Sequence, residues 1–409
     1  MSFFSDVPVR PSLSALCGCV FAHNEQQSEE IHMEAFVSRR SVSSSGRSGP
    51  AALFALPALC AALGLQLVTP SSAAAQDQRC STPSKDSICG VTNVEDLVMI
   101  DGTHWAIGSS LPGGRSKAEV LYLFDTKAFS ANPIYSQGIT VKPDTVTYAN
   151  CPGAPDFSKF ASHGLDFRGS RGRGTLYVVN HGGRESVEVF TVDTAADAAP
   201  KLTWTGCVIA PSTAWPDGVA ALPDGGFVAT SLWDPSDKDF LKKLSAGKPA
   251  GGLFEWHPKI GWQAIGPADV SGPNGLVASS DGRYVYVALW GEKKILKYDR
   301  DTKASQTVAI DLAVDNLRWT QDRRYILAGG QDAPVKEIIA CFESKAVNCL
   351  VPYKVFAIEP SNLTMTELVY SGLYDSMGAG TGALQVGGDL WLTTFRSDRI
   401  VRRQGVFAR

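Results

Sequence analysis

Several kinds of chemistry are excluded by what the sequence lacks. It has no G-x-S-x-G motif, so the exposed serine nucleophile of a strand–turn–helix elbow is missing. Its cysteines never fall at the short paired spacings of a zinc site. Charged residues make up only 19% of the chain, and 38 Lys/Arg against 41 Asp/Glu leave a net charge of −3. That balance offers no surface for a nucleic acid or an anionic membrane. Histidine is scarce, and beyond residue 75 only His104, His163, His181 and His257 occur. The same region carries no stretch with a helical period.

The first 75 residues read differently. An apolar run, AALFALPALCAALGLQLV at 51–68, follows Arg39, Arg40 and Arg47, and AAA at 73–75 offers small residues for cleavage. This is the layout of an export signal cut after Ala75. A membrane anchor is the alternative, since the run approaches the roughly 20 residues that span a bilayer; Pro57 and the small residues favour removal. Met33 opens a conventional n-region. The expected organisation is an N-terminal extension and export signal at 1–75 and a single domain at 76–409, periplasmic or extracellular, with no membrane span retained. Cys80, Cys89, Cys151, Cys207, Cys341 and Cys349 remain, an even number suited to disulfides after export. Cys80–Cys89 and Cys341–Cys349 are plausible local pairs.

What is present is a loose repeat. A short strand opens with polar residues six times: VEDLVM (94–99), SHGLDF (162–167), PDGVAA (216–221), PNGLVA (273–278), DNLRW (315–319) and TGALQV (381–386). Each is followed by a turn and a second apolar run, such as TLYVVN (175–180) or YVYVA (284–288), then a third, and in most units a fourth. Alternating β-branched and aromatic residues between glycine turns predict antiparallel strands. The fold expected is all-β, a six-bladed β-propeller of four-stranded antiparallel blades. The sixth unit runs out of chain after three strands, so residues between Cys80 and Asn93 are expected to close it.

The first strand of each blade lines the central channel, which gathers Glu95, Asp96, His163, Asp217, Asn274, Asp315, Asn316 and Thr381 at one mouth. The turns at Asp224 and Asp281 lie seven residues on, roughly 23 Å along an extended strand and therefore at the other mouth. Converging carboxylate and amide oxygens without thiols suit calcium. His163 and His181 meet across one hairpin, and such a pair reads as a general base with a pKa near 6–7 and its helper. Trp233, Trp290, Gln331 and Phe395 end second strands around the same mouth, as a cap on the core or as an apolar substrate wall.

HGLDF with LYVVNH and SVEVF (163–190), GPNGL with SDGRYVYVA (272–288), and VDNL (314–317) resemble the serum paraoxonase and arylesterase family, and more distantly gluconolactonases and senescence marker proteins. The resemblance runs from about Glu95 to Arg402. It implies a lactone or aryl-ester hydrolase with two calcium ions. Glu95, Asn274, Asp315 and Asn316 would hold a catalytic ion, and Asp96, Asp217 and the carbonyl of Leu165 a structural one. His163 would be the general base and His181 its partner. Pro216 departs from that pattern, where paraoxonases carry a further asparagine ligand, and so does Gln331, where they often carry histidine. The end-to-end disulfide of animal paraoxonases is also missing. Two rival readings are a gluconolactonase-like sugar lactonase with Asp315 as base, and a non-enzymatic calcium-stabilised propeller that binds a ligand.

Overall fold

The computed structural model describes residues 79–407, except 82, 112–119, 196–197 and 373–375. The export signal and its cleavage point lie outside the described residues. Six sheets follow one another along the chain. Their innermost strands are Leu97–Met99, Ser162–Ser170, Pro216–Ala221, Pro273–Ala278, Ala313–Trp319 and Gly380–Val386, and each contacts the next around a ring that returns from the sixth to the first. This is a six-bladed β-propeller. Within a blade the strands run antiparallel and outward in sequence order. The second blade adds a fifth strand, Ile139–Val141, parallel to Lys201–Ile209. The sixth blade takes its outer strand from Ser87–Cys89, which pairs with Arg399–Arg403.

Core packing follows from the alternation of the strands. Leu276, Val285, Val287 and Leu296 of the fourth blade pack against Ala220, Val228 and Leu253 of the third. Val277, Tyr286 and Ile295 turn the other way, onto Leu317, Ile326 and Ala328 of the fifth. Burying one such aliphatic side chain contributes about 1.5–3 kcal/mol, so the ring is held by blade-on-blade packing. Among the described residues there are three disulfides: Cys80–Cys89, Cys341–Cys349 and Cys151–Cys207.

The expectation of no helix needs correction. Phe240–Ser245 and Val335–Glu343 are short α-helices, inserted between second and third strands of the third and fifth blades. Each is too short to show a period against the surrounding pattern; the buried Ile338 and Cys341, three residues apart, are the face of the longer one. Among the described residues no helix is long and apolar enough to cross a membrane.

Five of the six inner strands carry a register shift at their first residues, at Ser162/Leu165, Pro216/Val219, Pro273/Leu276, Val314/Leu317 and Gly380/Ala383. An extra residue bends a strand and re-aims its side chains. Each shift falls where the sequence places a polar residue: His163, Asp217, Asn274, Asp315 and Thr381. In four blades the next residue is glycine, because neighbouring inner strands nearly touch there. A Cβ on Gly164 would lie 2.3 Å from the Asp217 carbonyl oxygen, and one on Gly275 2.5 Å from Asn316 Oδ1. Gly164→Ala should therefore lower stability by about 1–3 kcal/mol. Gly138→Ala, whose Cβ would meet nothing within 4 Å, should stay within about 0.5 kcal/mol of the parent in urea titrations.

Candidate metal and catalytic centre

The bulges, with the start of the first blade's inner strand, bring Glu95, Asp96, Asp217, Asn274, Asp315 and Asn316 to one mouth, all less than a tenth exposed. Backbone contacts between blades hold them. Thr381 Oγ1 donates to the Glu95 carbonyl at 2.5 Å and Thr230 Oγ1 to the Asn274 carbonyl at 2.5 Å. Asp315 Oδ2 accepts from Gln331 Nε2 at 2.7 Å, and Glu95 Oε1 accepts from Asn316 Nδ2. The opposite turns stay apart from this cluster: Asp224 and Asp281 bond to their own hairpins.

The cluster is electrostatically unbalanced. Burial pushes Glu95 well above the usual carboxylate range, and Asp315, Asp96 and Asp217 push it further. Asp217 is raised in the same way, by burial and then by Asp315 and Asp96. Burial lifts Asp315 to about 7. Two buried oxygens, Glu95 Oε2 and Asn274 Oδ1, have no hydrogen-bond partner, an arrangement that costs about 1–3 kcal/mol each unless something else satisfies them. Unpartnered oxygens among mutually repelling carboxylates, with no thiol or free amine, are the donors a hard divalent cation takes. Among the described residues, no three His, Cys, Asp or Glu side chains already surround one point in metal-ligand geometry.

The two histidines are in contact, His163 Nδ1 to His181 Nε2 at 3.0 Å. The hairpin that joins them turns at Arg171 and Gly172, both at positive φ. A third member escaped the sequence reading: Glu185 Oε2 lies 2.6 Å from His181 Nδ1. A carboxylate accepts, so Nδ1 of His181 carries the proton and its Nε2 accepts from Nδ1 of His163. His163 Nε2 is left with a lone pair, 3.6 Å from Glu95 Oε2. Burial, and then the neighbouring His181, hold His163 well below the ordinary imidazole value, which corrects the expectation of an ionisation near pH 6–7. Trp215, also missed, stacks on His181 with centroids 4.0 Å apart, Trp233 stacks on Trp215 at 4.1 Å, and Phe240 on Trp233 at 4.7 Å.

Arg318 is the other residue the sequence reading passed over. Its guanidinium is buried in the channel, donating to the Asp96 carboxylate, to the Leu165 carbonyl at 2.6 Å and to the carbonyls of Leu97 and Leu317 at 3.1 Å. Asp96 and Leu165, the expected donors to a structural ion, thus already share a cation.

Of the four rim residues, Trp290, Gln331 and Phe395 are buried. Trp290 and Phe395 belong to an apolar cluster with Leu244, Ile338 and the Cys341–Cys349 bridge, and Trp233 packs against it. Trp290 Nε1 donates to Gln331 Oε1 at 3.0 Å, which makes Gln331 a brace between that cluster and Asp315. Trp233 and Trp215 are the half-buried aromatics at the mouth.

No protein-family profile and no curated protein matches the sequence. Solved structures similar in shape include a luciferin-regenerating enzyme (11% identity, 78% of this chain and 92% of that one, TM-score 0.47). Others are a candidate gluconolactonase (15%, 78% and 92%, 0.46) and virginiamycin B lyase from Staphylococcus aureus (12%, 74% and 78%, 0.41). Likeness at this level says nothing of chemistry.

The raised carboxylates give metal-free protein a defined pH response. Their unfolded pKa lies near 4, and the folded value for Asp315 is about 7. Between these the folded state binds more protons than the unfolded, so stability falls as pH rises through that window. In chelator the melting temperature should be higher at about pH 5 than at about pH 7.5, a difference that differential scanning fluorimetry can read.

Proposed function

We propose that the protein is an exported calcium-dependent hydrolase of lactones or aryl esters. The observation that carries this reading is the meeting of two devices at one mouth. A hydrogen-bonded Glu185–His181–His163 chain turns an unprotonated imidazole nitrogen toward the oxygen cluster, 3.6 Å from Glu95 Oε2. Glu95, Asn274, Asp315 and Asn316 would hold the ion, with Asp217 beside them. Bound there, calcium would supply a Lewis acid that polarises the ester carbonyl and takes up charge on its oxygen. His163 Nε2 takes a proton from the attacking water, and His181 shares the resulting positive charge through its bond to Nδ1. Glu185 stabilises that charge and fixes both tautomers. The half-buried Trp215 and Trp233 offer an apolar surface for an acyl or aryl group. Three disulfides support residence in an oxidising compartment.

A second reading rests on Asp315. Oriented by Gln331 in the same mouth as the proposed ion, its carboxylate could take the proton from water in place of His163. His163→Gln separates the two. On the histidine reading it lowers kcat by on the order of 10²–10⁴ while leaving calcium affinity nearly unchanged; near-full lactonase activity would move the role to Asp315.

Loss of an ion ligand behaves differently. Asn274→Ala should lose both calcium and turnover, whereas Asp281→Ala at the opposite mouth should keep both, as calcium titration and an aryl acetate assay can show. Glu185→Gln keeps an oxygen that can accept from His181 but removes the charge that stabilises a protonated His163–His181 pair. It should reduce kcat by on the order of 10–100-fold with calcium binding intact, and Glu185→Asp should recover part of the loss.

A further inference from the structure

The six inner strands can be laid over one another by their polar opening residues, and one strand position then stands out. Arg318 occupies the place held elsewhere by Val98, Asp166, Ala220, Val277 and Leu384. Four of those five are uncharged and the other is an acid. The arginine is the cation of this level, it is only 7% exposed, and its contacts are all oxygens. They are one carboxylate, Asp96, and the carbonyls of Leu97, Leu165 and Leu317, drawn from three blades.

A carboxylate and converging carbonyls are also the donors a hard cation would take. Here the guanidinium already has them. Its charge cannot be given up by deprotonation, and its planar group of N–H donors fixes the direction of each bond. A divalent ion beside it would be repelled by the guanidinium charge and would compete with it for the same oxygens. The oxygen cluster is thus divided. The half around Asp96 and Leu165 is satisfied by the chain itself, while Glu95 Oε2 and Asn274 Oδ1 in the other half have no partner.

We propose that Arg318 is a covalently attached counter-cation that stands in for a second metal ion, so that the chain takes one divalent ion and not two. The count of one rests on the calcium reading above; the role of Arg318 does not. Asp96 on this view belongs to the arginine, and its loss is a loss of packing and charge pairing rather than of metal.

The test counts calcium by native mass spectrometry after chelation and return to calcium, in the parent protein, Arg318→Ser and Asp96→Asn, with melting curves in chelator and in calcium. The expected result is one ion in the parent and one more in Arg318→Ser. That variant should melt lower in chelator and regain the difference in calcium. Asp96→Asn should keep the parent's count. Two ions in the parent would overturn the proposal, as would an Arg318→Ser protein with no added ion and no calcium rescue. A parent with no ion would sink the calcium reading alone, since the increment in Arg318→Ser still decides the role of the arginine. Should Arg318→Ser fail to accumulate, Asp96→Asn decides: an unchanged count supports the proposal, and a lost ion overturns it.

Discussion

Packing four carboxylates from three blades into one buried mouth is the constraint on which this molecule turns. Two unit charges about 4 Å apart repel by about 4 kcal/mol at the dielectric typical of such sites, and burial adds a cost for each. Glu95, Asp217 and Asp315 all answer by moving above the usual carboxylate range. Blade-on-blade packing forces the residues together regardless, because each inner strand is wedged between two others with glycine at the point of approach. The mouth is therefore held in a state that favours a cation, and the surrounding bonds are directed at orienting it. Thr381 and Thr230 pin the backbone, while Gln331 donates to one oxygen of Asp315 and orients its carboxylate.

The histidine chain answers a different demand, that of keeping one imidazole neutral and correctly tautomeric beside that negative field. Nearby carboxylates would favour a protonated His163, and burial opposes them. Its neutrality is set by the shell. His181 donates nothing to it, Glu185 ensures that arrangement, and Trp215 holds the plane of His181 by stacking. The aromatic stack continues through Trp233 to Phe240, the first residue of an inserted helix. The first rim insertion thus supports His181 from behind, which gives that helix a role that its lack of repeat character would not suggest.

Much of this was legible in the sequence, and the reason is the repeat. Six strands opening on polar residues identify the blades, and hairpin length alone assigns Asp217 and Asp224 to opposite mouths. His163 and His181 are neighbours for the same reason. What escaped were residues whose role depends on contacts between blades. Arg318 in DNLRW looks like a solvent-facing strand residue until the channel places Leu165 and Asp96 around it. Glu185 and Trp215 sit in connections that carry no repeat to compare against. Trp290 and Phe395 showed the reverse failure. Their position at the rim was readable, but the helix Val335–Glu343 that buries them was not, so exposure could not be judged.

The bulges explain why such a site can vary while the fold does not. A bulge residue contributes its side chain to the mouth and little to the blade, since the flanking residues carry the register and the packing. Each bulged blade therefore presents one exchangeable position, filled here by His163, Asp217, Asn274, Asp315 and Thr381. Replacing one alters the charge and chemistry of the mouth by a single group without changing which faces are apolar. Three residues further along the strand, the level of Arg318 is packed between blades, and a charge there is tolerated only with a complete set of partners. Asp96 and three carbonyls supply that set. The consequence is a division of labour along the channel axis, with adaptable chemistry at the rim and a fixed ion pair beneath it that neutralises part of the charge the rim must carry.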